Sequence, residues 1–290
     1  MDTERVYGEN AVRARTALAG CEKAPGSSKP DPILVADGVR REFGGIVAVD
    51  VNHLEVQRGS ITALIGPNGA GKTTFFNLMT GFDTPDTGTW SFDGRSMEKV
   101  QSHRTAAIGM VRTFQLTKSL TKLSVIENMR LGATGQVGEK WWNGLFGARW
   151  RAQEAANTVR AEELLARFNL SHMRDEYAGA LSGGQRKLLE MARALMTDPT
   201  LVMLDEPMAG VNPALKQSLN AHIRDLRDQG MTVLFVEHDM DMVHDISDWV
   251  VVMAEGRIIA EGTPDDISRN PAVIDAYLGA RQGQSLLEDQ

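Results

Sequence analysis

The 290-residue chain has one cysteine, Cys21, three tyrosines, and apolar runs no longer than six residues, such as Trp249 to Ala254. A lone thiol forms no internal disulfide, and a run that short falls far below the roughly 20 residues that cross a bilayer. The first residues carry Asp2, Glu4 and Glu9 with no apolar segment behind them, unlike a secretory signal. Together these absences read as a cytosolic protein. Positive charge is also in short supply: 31 Lys and Arg against 38 Asp and Glu give a net charge of −7, with no basic run, which excludes nucleic acid as the main ligand. No internal repeat or low-complexity tract is visible.

Apolar residues at 42% and charged ones at 24% are ordinary globular usage. At roughly 150 residues per domain the length suggests about two domain-sized units. Residues 1–31 are polar and end in Pro25, Gly26, Ser27, Ser28 and Pro30, with Pro32 just beyond, a composition that predicts a disordered leader. From Ile33, short β-rich runs (Ile33 to Ala36, Ile46 to Val56, Ile61 to Ile65) alternate with Gly and Asp turns. Later runs (Leu201 to Leu204, Thr232 to Val236, Trp249 to Met253) alternate with helical stretches, among them Pro213 to Gln229, which argues for a parallel sheet covered by helices. Between about Leu116 and Ala180 the texture is helical; Ala152, Ala155, Ala156, Val159, Leu164, Leu165 and Phe168 fall near one face of a helix over Arg151 to Phe168.

The strongest chemical signal is Gly66, Pro67, Asn68, Gly69, Ala70, Gly71, Lys72 and Thr73, directly after the run Ile61 to Ile65 and followed by Thr74. In a strand–loop–helix context the glycines let successive N–H groups face phosphate oxygens, and the next helix points its positive end at them. Lys72 would reach the β- and γ-phosphates, and Thr73 would hold Mg²⁺. Leu201 to Leu204 run straight into Asp205 and Glu206, so a buried strand ends in two carboxylates. Beside a phosphate loop, the first would support Mg²⁺ and the second would orient or deprotonate a water.

A third element, Leu181, Ser182, Gly183, Gly184 and Gln185 ahead of a helix, completes an ordered set over about residues 33–279. With it the chain resembles the ATP-binding subunits of ABC transporters. The resemblance implies an α/β fold: a P-loop, RecA-like core with a parallel sheet over 32–115 and 186–279, an N-terminal antiparallel β subdomain, an inserted α-helical subdomain over 116–185 that carries the Ser182 motif, and a flexible tail at 280–290. It also implies ATP and Mg²⁺ as cofactors. Phe43 matches the residue that stacks on adenine, a core phenylalanine being the alternative. Gln115 matches the glutamine that senses Mg²⁺ and water. His238 matches the switch histidine on the γ-phosphate, a helix cap being the alternative. Ser182, Gly183, Gly184 and Gln185 would serve the nucleotide of a second subunit, the same chain or a paralogue. At Asn212 many family members carry aspartate, which removes a carboxylate from cross-subunit signalling.

The Lys72–Ser182 interval leaves no room for the coiled-coil insertion of chromosome-maintenance ATPases, and a single cassette disfavours translation-associated members. What remains implies membrane-spanning permease partners, with a periplasmic or lipid-anchored solute-binding protein as a further candidate, at the cytoplasmic face of the inner membrane. Phe43 to Ala48, Gly109 to Gln115, Ser124 to Asn128, Glu237 to Met240 and Ala276 to Gly279 resemble the branched-chain amino acid importer ATPases; urea and amide importers and the lipopolysaccharide-export ATPase are similar relatives. Trp141, Trp142, Leu145, Phe146 and Trp150 would either dock on a membrane subunit or cover the helical subdomain.

Overall fold

The computed structural model describes residues 3–98, 100–113, 120–133 and 147–278. In chain order these form α1 (Thr3–Ala19), β1 (Pro32–Phe43), β2 (Ile46–Gln57), β3 (Ile61–Ile65), α2 (Lys72–Met79), β4 (Thr87–Phe92), β5 (Arg95–Ser96) and α3 (Ser102–Thr105). After them come β6 (Met110–Arg112), α4 (Val125–Arg130), α5 (Gly147–Arg167), α6 (Gly183–Ala194) and β7 (Leu201–Asp205). The last third holds α7 (Pro213–Asp228), β8 (Thr232–Val236), α8 (Met240–Ile246), β9 (Trp249–Ala254), β10 (Arg257–Gly262) and α9 (Pro264–Ser268).

Two sheets organise these elements. One is antiparallel, in the order β2-β1-β4-β5; the other runs β10-β9-β3-β8-β7-β6, parallel except for the β9–β10 pair. Strands β3, β7 and β8 are buried at every residue, because both faces of the parallel sheet are covered. Alternation divides their side chains cleanly. Leu64, Leu201, Met203, Leu234 and Val251 face the antiparallel sheet, together with Val39, Val51 and Trp90. Ala63, Ile65, Val202, Leu204, Phe235 and Val252 face the helical side, with Leu164, Leu189, Leu219 and Ile223.

Helix limits follow local chemistry. Ser182 caps α6 in a box with Gln185, Asn212 caps α7 with Pro213 behind it, and Asp239 caps α8. Helix α5 starts earlier than the Ala and Leu spacing predicts, at Gly147.

The leader departs from the expectation of disorder. Residues Thr3–Ala19 are helical, Ala14 and Leu18 are buried, and Arg15 Nε donates to Asp248 Oδ1 at 2.8 Å. Lys29 is buried with its Nζ 2.7 Å from the Ser27 carbonyl, 3.0 Å from Glu261 Oε2 and 4.6 Å from the Trp249 ring centre. Composition missed this because the partners Asp248, Trp249 and Glu261 lie more than 200 residues away along the chain.

Candidate functional site

The site is built at the C-terminal ends of the parallel strands, where open α/β sheets leave a crevice. The chain leaves β3 at Ile65 and turns through Gly66 to Gly71 into α2. Two glycines are fixed by geometry: a Cβ on Gly66 would lie 2.0 Å from the Met253 carbonyl oxygen, and one on Gly71, at φ +95°, would lie 2.2 Å from the Ala48 carbonyl oxygen. The loop is therefore clamped between β9 and β2. Pro67, Asn68, Gly69 and Ala70 form its turn, tied by the Ala70 N–H to the Pro67 carbonyl at 3.2 Å, and Thr73 and Thr74 open α2.

Lys72 Nζ donates to the carbonyl oxygens of Gly66 at 2.7 Å and Pro67 at 2.9 Å, folding over the loop it belongs to. Burial lowers its pKa from the ordinary 10.5, against the attraction of Glu206 and Asp205. The ammonium thus sits in the field of both strand-end carboxylates.

Asp205 ends β7 almost fully buried; Arg112 of β6 donates to its Oδ2 at 2.7 Å, while Oδ1 is buried without a hydrogen-bond partner among the described residues. Glu206 takes φ +47°, a left-handed conformation uncommon for a side-chain-bearing residue, while its N–H still bonds the Val236 carbonyl at 3.0 Å. Its position is held from α6: Lys187 Nζ reaches the carbonyls of Glu206 (3.4 Å), Pro207 (3.0 Å) and Ala209 (2.5 Å). Burial lowers the Lys187 ammonium too, with Glu237, Glu190 and Glu206 pulling the other way.

Beyond β8, Glu237 is buried and joins two loops, accepting from the Met208 N–H at 2.8 Å and the His238 N–H at 3.1 Å. The His238 side chain is 64% exposed. Asp239, not His238, caps α8, which removes the cap alternative for the histidine. Phe43, 48% exposed with the Arg41 guanidinium 4.6 Å from its ring centre, is not a core side chain.

Ser182, Gly183, Gly184 and Gln185 open α6 at the surface; the Gln185 N–H donates to Ser182 Oγ at 3.2 Å, and the Ser182 N–H to Gln185 Oε1 at 2.9 Å. A Cβ on Gly184 would stand 1.8 Å from Leu215 Cδ2 on α7, the end of a side chain that would have to turn aside. Gln115, Trp141, Trp142, Leu145 and Phe146 lie outside the described residues, and Trp150 is placed only as part of the α5 backbone.

The comparisons with known proteins agree with this geometry. A family model described as ABC transporter matches residues 49–209, and a second, described as branched-chain amino acid ATP-binding cassette transporter, matches 257–282. The chain belongs to the ATP-binding subunits of ABC transporters. A probable branched-chain amino acid transport ATP-binding protein LivG of Archaeoglobus fulgidus is 41% identical over 87% of this chain and 97% of that protein. The high-affinity branched-chain amino acid transport ATP-binding protein BraF of Pseudomonas aeruginosa is 41% identical over 86% of this chain and 98% of its own length. The crystal structure of a nucleotide-free ATP-binding cassette from an ABC transporter superposes with a TM-score of 0.74 at 37% identity, covering 85% of this chain and 98% of that one. The crystal structure of the ADP conformation of an ATP-binding cassette of an ABC transporter gives a TM-score of 0.74 at 36% identity, covering 86% of this chain and 99% of that one.

As a member of this family the chain is an ATPase that binds ATP and works with membrane permease components. None of its described helices is long and apolar enough to cross a membrane, which fits peripheral association with a transporter. Magnesium is tested by the donor set: a desolvated carboxylate oxygen with no donor among the described residues, Asp205 Oδ1, together with the hydroxyl of Thr73 in the first turn of α2, suits a hard cation that prefers oxygen. The residues fit the ion.

Arg112, Lys187 and Glu237 are the residues that sequence reading left without a role. Arg112 and Glu237 sit inside runs that carried the resemblance, yet nothing in a one-dimensional pattern says that a strand-end arginine meets a carboxylate on the neighbouring strand.

Proposed function

We propose that this chain is the ATP-hydrolysing subunit of an ABC importer whose solutes are branched-chain or related amino acids. The observation that carries the site reading is Lys72 lying between the loop it closes and the field of Asp205 and Glu206. In this reading the N–H groups of Gly66 to Thr74 and the Lys72 ammonium hold the triphosphate, and Phe43 stacks on adenine. Thr73, Asp205 and Gln115 would hold Mg²⁺, which would supply positive charge to neutralise the phosphates. Glu206 orients the attacking water and takes its proton, and His238 contacts the γ-phosphate; ADP and inorganic phosphate leave.

Ser182, Gly183, Gly184 and Gln185 complete the nucleotide site of a second ATPase subunit from the N-terminal end of α6, so ATP joins two cassettes and its hydrolysis parts them. Residues 116–185 act as the helical subdomain between this machinery and the permease, at the cytoplasmic face of the membrane. The choice of amino acids rests on the match over residues 257–282 and on what the LivG and BraF relatives are named for.

Glu206→Gln tests the chemistry. ATP binding is retained and phosphate release falls by about 10²–10⁴-fold; wild-type turnover in that variant overturns the assignment. Purification from membranes in mild detergent brings down permease chains. In the reconstituted complex, leucine, isoleucine or valine with a solute-binding protein stimulates ATP turnover. Stimulation by urea, an amide or a lipid instead overturns the solute.

A further inference from the structure

Arg112 stands at the end of β6, next to the carboxylate that ends β7, and its side chain joins elements that are distant in sequence. One terminal nitrogen donates to Asp205 Oδ2 at 2.7 Å; the other donates to Asn77 Oδ1 at 2.7 Å and Thr80 Oγ1 at 3.3 Å. Asn77 lies on α2, the helix whose first turn carries Lys72 and Thr73. The guanidinium lies 5.5 Å from the ring centre of Phe76 and 6.0 Å from that of Phe82, in a site from which both charged side chains are nearly excluded from water.

The geometry is informative for what it omits. A guanidinium beside a carboxylate often takes both oxygens in a parallel fork. Here the fork is divided, one prong on Asp205 and the other on α2, and Asp205 Oδ1 is left buried with no donor among the described residues. An oxygen of that kind costs free energy unless something occupies it. The next residue, Thr113, bonds the Met203 carbonyl at 2.9 Å, so the strand leading toward Gln115 is tied to β7 beside the same carboxylate.

We propose that Arg112 is a positioning residue for the metal of the bound nucleotide. By holding Oδ2 and α2 together, it fixes the rotamer of Asp205 so that Oδ1 faces the ion, and it sets the distance between that oxygen and the helix turn bearing Thr73. The inference rests on the reading that MgATP occupies this site.

The test measures ATP affinity of the full-length chain by calorimetry, first in EDTA and then across a Mg²⁺ titration, for wild type, Arg112→Met and Arg112→Lys. In EDTA all three bind ATP within about twofold of one another, because the hydrogen bonds of Arg112 to Asp205, Asn77 and Thr80 lie outside the phosphate loop. The Mg²⁺ concentration at half-maximal tightening rises by about tenfold or more in Arg112→Met. In Arg112→Lys it rises less, since an ammonium keeps the charge but not a fork that spans Asp205 and Asn77. A wild-type Mg²⁺ midpoint in folded Arg112→Met, or equal losses with and without Mg²⁺, overturns the proposal. Should Arg112→Met not fold, an unchanged midpoint in Arg112→Lys overturns it. A wild-type chain that binds ATP with no gain from Mg²⁺ overturns the inference alone; one that binds no ATP overturns the functional reading beneath it as well.

Discussion

The phosphate loop after β3 and the carboxylate end of β7, with β8 between the two strands, are held in different ways. The loop is a backbone object: Gly66 and Gly71 press against main-chain oxygens of Met253 and Ala48, where no Cβ fits. The β7 end is a side-chain object, with Asp205 held by Arg112, the Glu206 to Ala209 turn by Lys187, and Met208 by Glu237. The glycine spacing of the first kind is written within eight consecutive residues, Gly66 to Thr73, although the oxygens it meets, on Ala48 and Met253, lie elsewhere in the chain. Contacts of the second kind come from four separate segments and exist only after folding.

The comparison breaks most severely at Gly71→Ala. A methyl group 2.2 Å from the Ala48 carbonyl, at φ +95°, must displace β2 or the loop, costing about 3 kcal/mol and abolishing ATP binding. Gly69→Ala is its control, with no atom within 4 Å of the added Cβ and only the left-handed backbone to strain, at about 1 kcal/mol. Urea midpoints with nucleotide calorimetry separate the two; equal losses would mean that close backbone approach is not what requires glycine.

A middle-sized effect is expected on the side-chain half. Lys187→Met leaves three carbonyls of the Glu206–Ala209 turn without their donor and costs about 1–3 kcal/mol. Its mark is a lower kcat with ATP affinity little changed, because the phosphate loop is untouched. A loss of affinity instead would show the two halves to be mechanically one.

The smallest effect is in pH dependence. A hydrogen bond from Lys216 on α7 holds the Asp239 carboxyl below its ordinary 3.8. A depressed carboxyl stabilises the fold fully above its unfolded value and loses that contribution as pH falls through the folded one. Acid unfolding of wild type therefore steepens below about pH 4, and Lys216→Met flattens that limb by lowering stability near neutrality while leaving it almost unchanged below the folded value. On the loop side the sign reverses: burial depresses Lys72, so ATP affinity declines with rising pH from below the ordinary lysine value of 10.5.

Legibility followed the same division. Strands β3, β7 and β8 were readable because continuous apolar runs bounded by turns are what a doubly covered sheet demands. Helix α7 was readable from Pro213 and Gly230. The leader was not, since the small buried side chains Ala14 and Leu18 and the charged Arg15 and Lys29 gain their meaning from Asp248, Trp249 and Glu261.

The amino-acid order alone announced the loop at Gly66 to Thr73, the carboxylates Asp205 and Glu206 at the end of β7 and the Ser182 cap of α6, because each is a local pattern that can be read without its partners. Tertiary structure alone decided that Arg112 divides its fork between Asp205 and α2, that Glu237 joins two loops, and that Ala14, Arg15, Leu18 and Lys29 are anchored. A buried charge has no identity until the fold supplies its partner, and no spacing along the chain announces which partner that will be.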